Sequence, residues 1–232
     1  MNPDRELHMA EGEMLLVKKP AGWTSFDVVN RIRGIFHVQR VGHSGTLDPM
    51  ATGLLIVCTG KKTKELDSFI GLEKEYDATM VLGASTSSFD GETPVTEYHS
   101  IDDITEEGVR AALTAFVGHQ TQLPPMWSAA KVLGKPLYKY ARKGLEIERK
   151  PREVFVASIE PTTIQLPEVS FTVVCSKGTY VRGLVDSIGK RLGCGAYLKS
   201  LERTRIGNFL LSDAISIEDL ARCRVKHQFS LS

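Results

Sequence analysis

The residue of this sequence best placed for chemistry is Asp48. It stands in Gly42-His43-Ser44-Gly45-Thr46-Leu47-Asp48-Pro49, a polar, glycine-rich loop, directly before the apolar run Gly53-Leu54-Leu55-Ile56-Val57-Cys58. A loop braced by a rigid element is where catalytic groups concentrate, and a carboxylate so held suits nucleophilic or electrostatic work. An Asp before Pro is also a common turn former, so Asp48 needs support from the rest of the chain. Metal and thiol chemistry find less support. The four cysteines (58, 175, 194, 223) include no C-x-x-C pair, and the six histidines (8, 37, 43, 99, 119, 227) are scattered. Neither a zinc site nor a disulfide framework follows from that spacing. Buried free thiols in a reducing, cytoplasmic setting are expected.

The second chemical feature is electrostatic. The net charge is only +1, but it is unevenly spread. From Asp77 to Val109 there are eight acidic residues and no Lys or Arg. From Lys131 to Arg152 there are eight basic residues (131, 135, 139, 142, 143, 149, 150, 152) against Glu146 and Glu148. A near-neutral total thus hides a strongly positive segment, and a nucleic-acid backbone responds to the local field. The alternative is a solvated charged face.

Positioning these groups requires a scaffold, and 232 residues suffice for a substantial core. Residues 1–12 are polar and acidic, without an apolar signal region, and read as a flexible leader. No apolar run approaches the roughly 20 residues needed to span a membrane. Residues 14–17 form a strand stopped by Pro20 and Gly22. Thr24 or Ser25 caps a helix whose apolar side carries Phe26, Val29, Ile32 and Phe36. After the Asp48 loop comes the strand 53–58, then a short helix over 62–70 and an alternating strand over 75–82. The acidic stretch 85–104 reads as loop with strand pieces, and 105–117 as a helix ended by Gly118. The basic segment 124–152, punctuated by Pro and Gly, reads as an insertion. Strands follow at 153–165 and 168–176. The clearest helix is 179–192, with Val181, Leu184, Val185, Ile188 and Leu192 at helical spacing and Gly193 at its end. A strand over 196–206 and a short helix from Ser216 close the chain. Irregular alternation with short turns predicts an α/β (α+β) fold. We expect one catalytic domain over 13–232, built on a mixed, mostly antiparallel central sheet flanked by helices, with the basic insertion at about 124–152.

Several strings then resemble one family in order. His43-Ser44-Gly45-Thr46-Leu47-Asp48-Pro49-Met50-Ala51-Thr52-Gly53 resembles the catalytic motif of the TruB-type tRNA pseudouridine synthases. Lys19-Pro20-Ala21-Gly22-Trp23-Thr24-Ser25 is similar to that family's N-terminal motif, and Lys74-Glu75-Tyr76 to its second. Pro124-Pro125-Met126-Trp127-Ser128-Ala129 and Tyr138-Lys139-Tyr140-Ala141-Arg142-Lys143-Gly144 resemble its RNA-binding insertion. Lys177-Gly178-Thr179-Tyr180-Val181-Arg182 resembles the motif that carries an active-site arginine, and Leu198 to Arg205 the one that supplies an apolar wall. Met50 stands where Leu is commoner, a tolerable apolar exchange.

The resemblance implies isomerisation of uridine-55 in the tRNA T loop to pseudouridine. Asp48 would be the nucleophile, with Arg182 as counter-charge. Tyr76 would stack on the base and help remove a proton from it. Tyr180 and Leu201 would complete the base pocket, Lys19 would serve substrate binding, and His43 would press on the RNA where the uridine has left the stack. Extruding a base costs a few kcal/mol, and an aromatic stack returns roughly 1–3, so no cofactor and no metal are expected. Lys131, Lys139, Arg142, Lys143 and Arg149 would meet the RNA backbone. We expect a monomer whose partner is the tRNA T-stem-loop, without the C-terminal RNA-binding module usual in bacterial members. Two other readings use the same residues. A nucleoside hydrolase would need a second carboxylate in a comparable motif, which is not evident. A non-catalytic RNA binder would need only the insertion and the pocket.

Overall fold

The computed structural model describes residues 7–223. In chain order the elements are β1 (Met14–Lys19), α1 (Ser25–Phe36), β2 (Val41–His43), β3 (Thr52–Thr59), a 3-10 turn (Gly60–Glu65), α2 (Leu66–Ile70), β4 (Lys74–Leu82), β5 (Ala84–Thr86), β6 (Val95–Tyr98) and α3 (Glu106–Thr114). Then come β7 (Gly118–Gln122), β8 (Lys131–Val132), β9 (Lys135–Pro136), α4 (Tyr138–Ala141), β10 (Arg152–Gln165) and β11 (Glu168–Cys175). The last are α5 (Val181–Leu192), β12 (Ala196–Ile206), β13 (Phe209–Leu210), a 3-10 turn (Leu211–Asp213) and α6 (Ile217–Leu220). The class is mixed α/β, its strands mostly antiparallel. The chain forms two compact units where the sequence predicts one domain. The first is built from residues up to Leu72 together with those from Glu202, the second from Glu73–Leu201. β12 is common to both by chain continuity.

In the first unit β3 pairs antiparallel with β1, from Met14↔Cys58 to Lys19↔Gly53, and with β2 at His43↔Val57. It also pairs in parallel with β12, at Glu202↔Thr52 and Arg203↔Gly53. The unbroken apolar run in β3 has a direct cause. Leu55 and Val57 point to a cluster with Leu15, Val17, Val28, Val29, Ile32 and Phe36, while Leu54, Ile56 and Cys58 point to another with Ile206 and Ala214. A strand buried on both faces has no polar side to alternate, and each such side chain contributes about 1.5–3 kcal/mol on burial.

α1 starts at a complete capping box: Thr24 accepts from the Asp27 amide, and the Asp27 carboxylate accepts from the Thr24 amide. Such a cap stabilises by about 1 kcal/mol. The core side of α1 needs correction: Val28 is fully buried, whereas Phe26 is 58% exposed with the Arg33 guanidinium 5.7 Å from its ring centre. The expected leader also changes where it is described. Leu7 and Met9 are buried in the core, and the Met9 carbonyl accepts from Thr59 Oγ1 at 2.7 Å. Residues 1–6 lie outside the described residues.

In the second unit β4, β11, β10 and β7 form a continuous antiparallel ladder, with Tyr76 opposite Val173 and Phe155 opposite His119. α3 presents Val109, Ala112 and Leu113 to the core, and α5 presents Val181, Leu184, Val185 and Ile188. α5 ends at Gly193 in the left-handed conformation, φ 77°. Gly189 allows β12 to start against the helix, since a Cβ there would lie 2.2 Å from the Ala196 amide nitrogen. The insertion at 124–152 is a small antiparallel hairpin, β8–β9, followed by the single helical turn α4. Among the described residues no helix is long and apolar enough to cross a membrane.

Candidate functional site

The residues singled out by sequence fall into two groups, one in each unit. In the first unit Asp48 is half-buried on a loop held largely through backbone groups. Ser25, at the start of α1, accepts from the Leu47 amide at 2.9 Å. The Gly22 amide donates to the Pro49 carbonyl at 2.8 Å, and the Ala51 amide to the Asp48 carbonyl at 3.1 Å. Lys19 is buried, and its Nζ donates to the carbonyls of Pro20 (3.0 Å), Pro49 (3.2 Å) and Trp23. Its ammonium thus links β1, the turn before α1 and the residue after Asp48. From the far side, Arg203 on β12 donates through Nε to the Leu54 carbonyl at 2.7 Å and through Nη2 to the Gly45 carbonyl at 3.3 Å.

His43 closes β2 rather than lying in open loop. Burial lowers its pKa from the usual 6.5, the Arg203 charge lowers it further, and the Gly45 backbone offsets part of the shift. The imidazole is therefore neutral at neutral pH and can lie against an apolar or aromatic surface without a charge to solvate.

In the second unit Tyr76 on β4 is 8% exposed. Tyr180 is the extended residue before α5. Its amide donates to Gln122 Oε1 at 3.0 Å, and its carbonyl accepts from Gln122 Nε2 at 3.3 Å. This two-sided clamp from β7 fixes how α5 begins. Arg182, in the first turn of α5, is 2% exposed and lies 6.0 Å from the Tyr180 ring centre. Leu201, on β12, is buried.

Arg182 has a partner that sequence reading did not name. Its Nη1 lies 3.4 Å from Asp90 Oδ2 and donates to the Ser88 carbonyl at 3.2 Å. Asp90 is fully buried, and its Oδ1 accepts from Ser88 Oγ at 2.5 Å and from the Glu92 amide at 3.1 Å. The β5–β6 connection that carries it is fastened to β12, with the Leu198 amide donating to Phe89 and the Gly91 amide to Leu198. A buried ion pair is costly unless its remaining hydrogen bonds are made, and Asp90 meets that condition. In sequence it stands in Ser87-Ser88-Phe89-Asp90-Gly91, where an Asp before Gly reads as a turn.

Of the insertion's cations, Lys131, Lys139, Arg142 and Lys143 are exposed, with the Arg142 guanidinium 5.3 Å from the Tyr138 ring centre. Arg149 turns inward and donates to the Pro124 carbonyl and to Glu146, joining the two ends of the insertion. The thiols offer little nucleophilic chemistry: burial pushes Cys58 and Cys175 up to about 11.

The model described as TruB family pseudouridylate synthase (N terminal domain) matches residues 33–181, a span that contains the Asp48 loop, β4 and the insertion. The chain belongs to the TruB family. Residues 182–230 match the tRNA pseudouridylate synthase B C-terminal domain. A tRNA pseudouridine synthase B of Chlorobium luteolum is 50% identical over 225 residues, 95% of this chain and 78% of the relative. One of Chloroherpeton thalassium is 46% identical over 231 residues, 96% of each. Among solved structures, a Cbf5-Nop10-Gar1 complex aligns with a TM-score of 0.70 and 30% identity over 92% of this chain. This TruB-family chain spans 54% of that protein's length. Its class is that of the isomerases that form pseudouridine in tRNA.

Proposed function

We propose that this TruB-family enzyme isomerises the T-loop uridine at tRNA position 55, with Asp48 as nucleophile. The observation that carries the reading is the hold on Asp48: Ser25, Lys19, Gly22 and Arg203 fasten the backbone on both sides of it. A nucleophile fixed in this way spends little free energy on orientation during reaction. The N-glycosidic bond of the extruded uridine breaks, the base turns, and it rejoins the sugar through carbon, so that atoms are conserved and no redox partner enters. Tyr76, Tyr180 and Leu201 would receive the base, and Tyr76 would help remove the proton from its carbon. Arg182, fixed by Asp90, would supply a permanent positive charge, and Lys19 would shape the loop from beneath. Neutral His43 would press on the RNA from which the base has left.

The test is nucleotide-resolution pseudouridine mapping on an unmodified tRNA transcript. A single conversion at position 55 is expected. Free uracil would point to a hydrolase, and an unchanged transcript to a binding protein.

The insertion gives a separate prediction. Replacing Lys139, Arg142 and Lys143 together by Gln should weaken tRNA binding and reduce its log–log salt slope by about 0.7–0.9 for each phosphate left without a cation. Binding measured across a salt series with the slope unchanged would show that these cations face solvent only.

A further inference from the structure

Arg203 has no assigned part in the chemistry above beyond its backbone contacts, yet it is one of the largest fully buried side chains of the protein, 1% exposed. No carboxylate lies within ion-pair distance of it among the described residues. Burying a cation without a counter-ion is expensive, and packing alone would be met as well by a Met or Leu. The arginine's partners show what the guanidinium supplies. Nε holds the Leu54 carbonyl at 2.7 Å and Nη2 the Gly45 carbonyl at 3.3 Å. Those two residues flank Asp48, one before it in the loop and one after it in β3. The planar fork of an arginine can hold two such carbonyls at once, whereas a lysine ammonium is a point donor on a flexible stem.

The backbone makes the same connection. Arg203 pairs in parallel with Gly53, where a Cβ would lie 2.4 Å from the Arg203 carbonyl oxygen and 2.6 Å from its nitrogen. Gly53 therefore lets β12 come close enough for the guanidinium to reach beneath the loop. Gly45, at φ 116°, turns its carbonyl toward that group in a conformation open to glycine. The lowered pKa of His43, to which the Arg203 charge contributes, is consistent with the cation lying beneath this loop.

We propose that Arg203 is a positioning residue of the modification reaction: by joining the carbonyls of Gly45 and Leu54 it fixes the Asp48 loop and so the direction from which the carboxylate meets the nucleoside. The inference rests on Asp48 being the nucleophile. It does not require Arg203 to touch RNA.

The experiment compares Arg203→Lys, Gly45→Ala and Asp48→Asn with the parent in single-turnover pseudouridine formation. Each is assayed well below its measured melting temperature, with tRNA Kd determined in parallel. For Arg203→Lys the expected result is a rate about 10- to 100-fold lower, the size of effect that a misaimed group produces, with Kd within about twofold of the parent. Gly45→Ala approaches the same contact from the other side, because alanine is strained at that φ and the carbonyl must leave the guanidinium. It should show the same split, and it serves as the test if Arg203→Lys does not fold. A parent-like rate in either folded variant overturns the proposal, as does a loss confined to Kd. If Arg203→Lys keeps the parent rate while Asp48→Asn is inactive, only the role of Arg203 falls. If Asp48→Asn itself turns over, the nucleophile assignment falls, and the role of Arg203 with it.

Discussion

Asp48→Asn should bind unmodified tRNA about as the parent does and form almost no pseudouridine. The exchange keeps the shape of the side chain. It also leaves the Pro49 carbonyl bonds to Gly22 and Lys19, and the Asp48 carbonyl bond to Ala51, untouched. The loop should therefore keep its conformation. What is lost is the charge and the nucleophilic oxygen, and an amide oxygen cannot take over covalent work at neutral pH. Removing an essential nucleophile costs on the order of 10³- to 10⁶-fold in turnover. Single-turnover assays with saturating enzyme would read the loss in the rate, and equilibrium binding would show an unchanged Kd. Substantial turnover in the folded variant would remove Asp48 from the chemistry.

The second large effect is expected at Asp90. Asp90→Ala would remove the buried carboxylate on which Arg182, Ser88 Oγ and the Glu92 amide converge. Breaking a buried ion pair from one side costs about 3–5 kcal/mol. The lower end is expected here, because Arg182 also donates to the Ser88 carbonyl and has further interactions. The double variant Asp90→Ala/Arg182→Met should be less destabilised than the two single changes summed, because it removes both partners of the pair together. Denaturant unfolding of the four proteins gives the coupling energy directly. If Asp90→Ala falls within about 0.5 kcal/mol of the parent, as a neutral surface change would, the pair does not hold Arg182. Pseudouridine formation should fall in the same variant, since a guanidinium that has lost one of its anchors is held less firmly.

Much of this was legible in the chain itself. The order and type of the longer elements follow from periodicity and caps. β3 announces its two-sided burial by an unbroken apolar run, α1 its start by the pair Thr24-Ser25, and α5 its end by Gly193. The motif around Asp48 and those around Tyr76 and Arg182 already pointed to the family, because chemistry constrains residue type at fixed spacing. The short strands were not legible. β2 and β7 hold three and five residues rich in Gly, His and Gln, and they are strands because of the neighbours they pair with, which no local pattern encodes.

Tertiary structure alone decided the rest. Phe26 fits the apolar spacing of α1, yet Val28 takes the core position, since the angle at which a helix docks selects its buried stripe. Arg149 looks like one cation among eight until its bonds to Pro124 and Glu146 are seen. The contacts of Asp90 and Arg203 gave no signal, because one stands 92 residues from Arg182 and the other 149 from Leu54. Residue type set which atoms could donate, accept or carry charge. Which of them met depended on long-range pairing of strands, and that is a property of the folded chain and not of any segment of it.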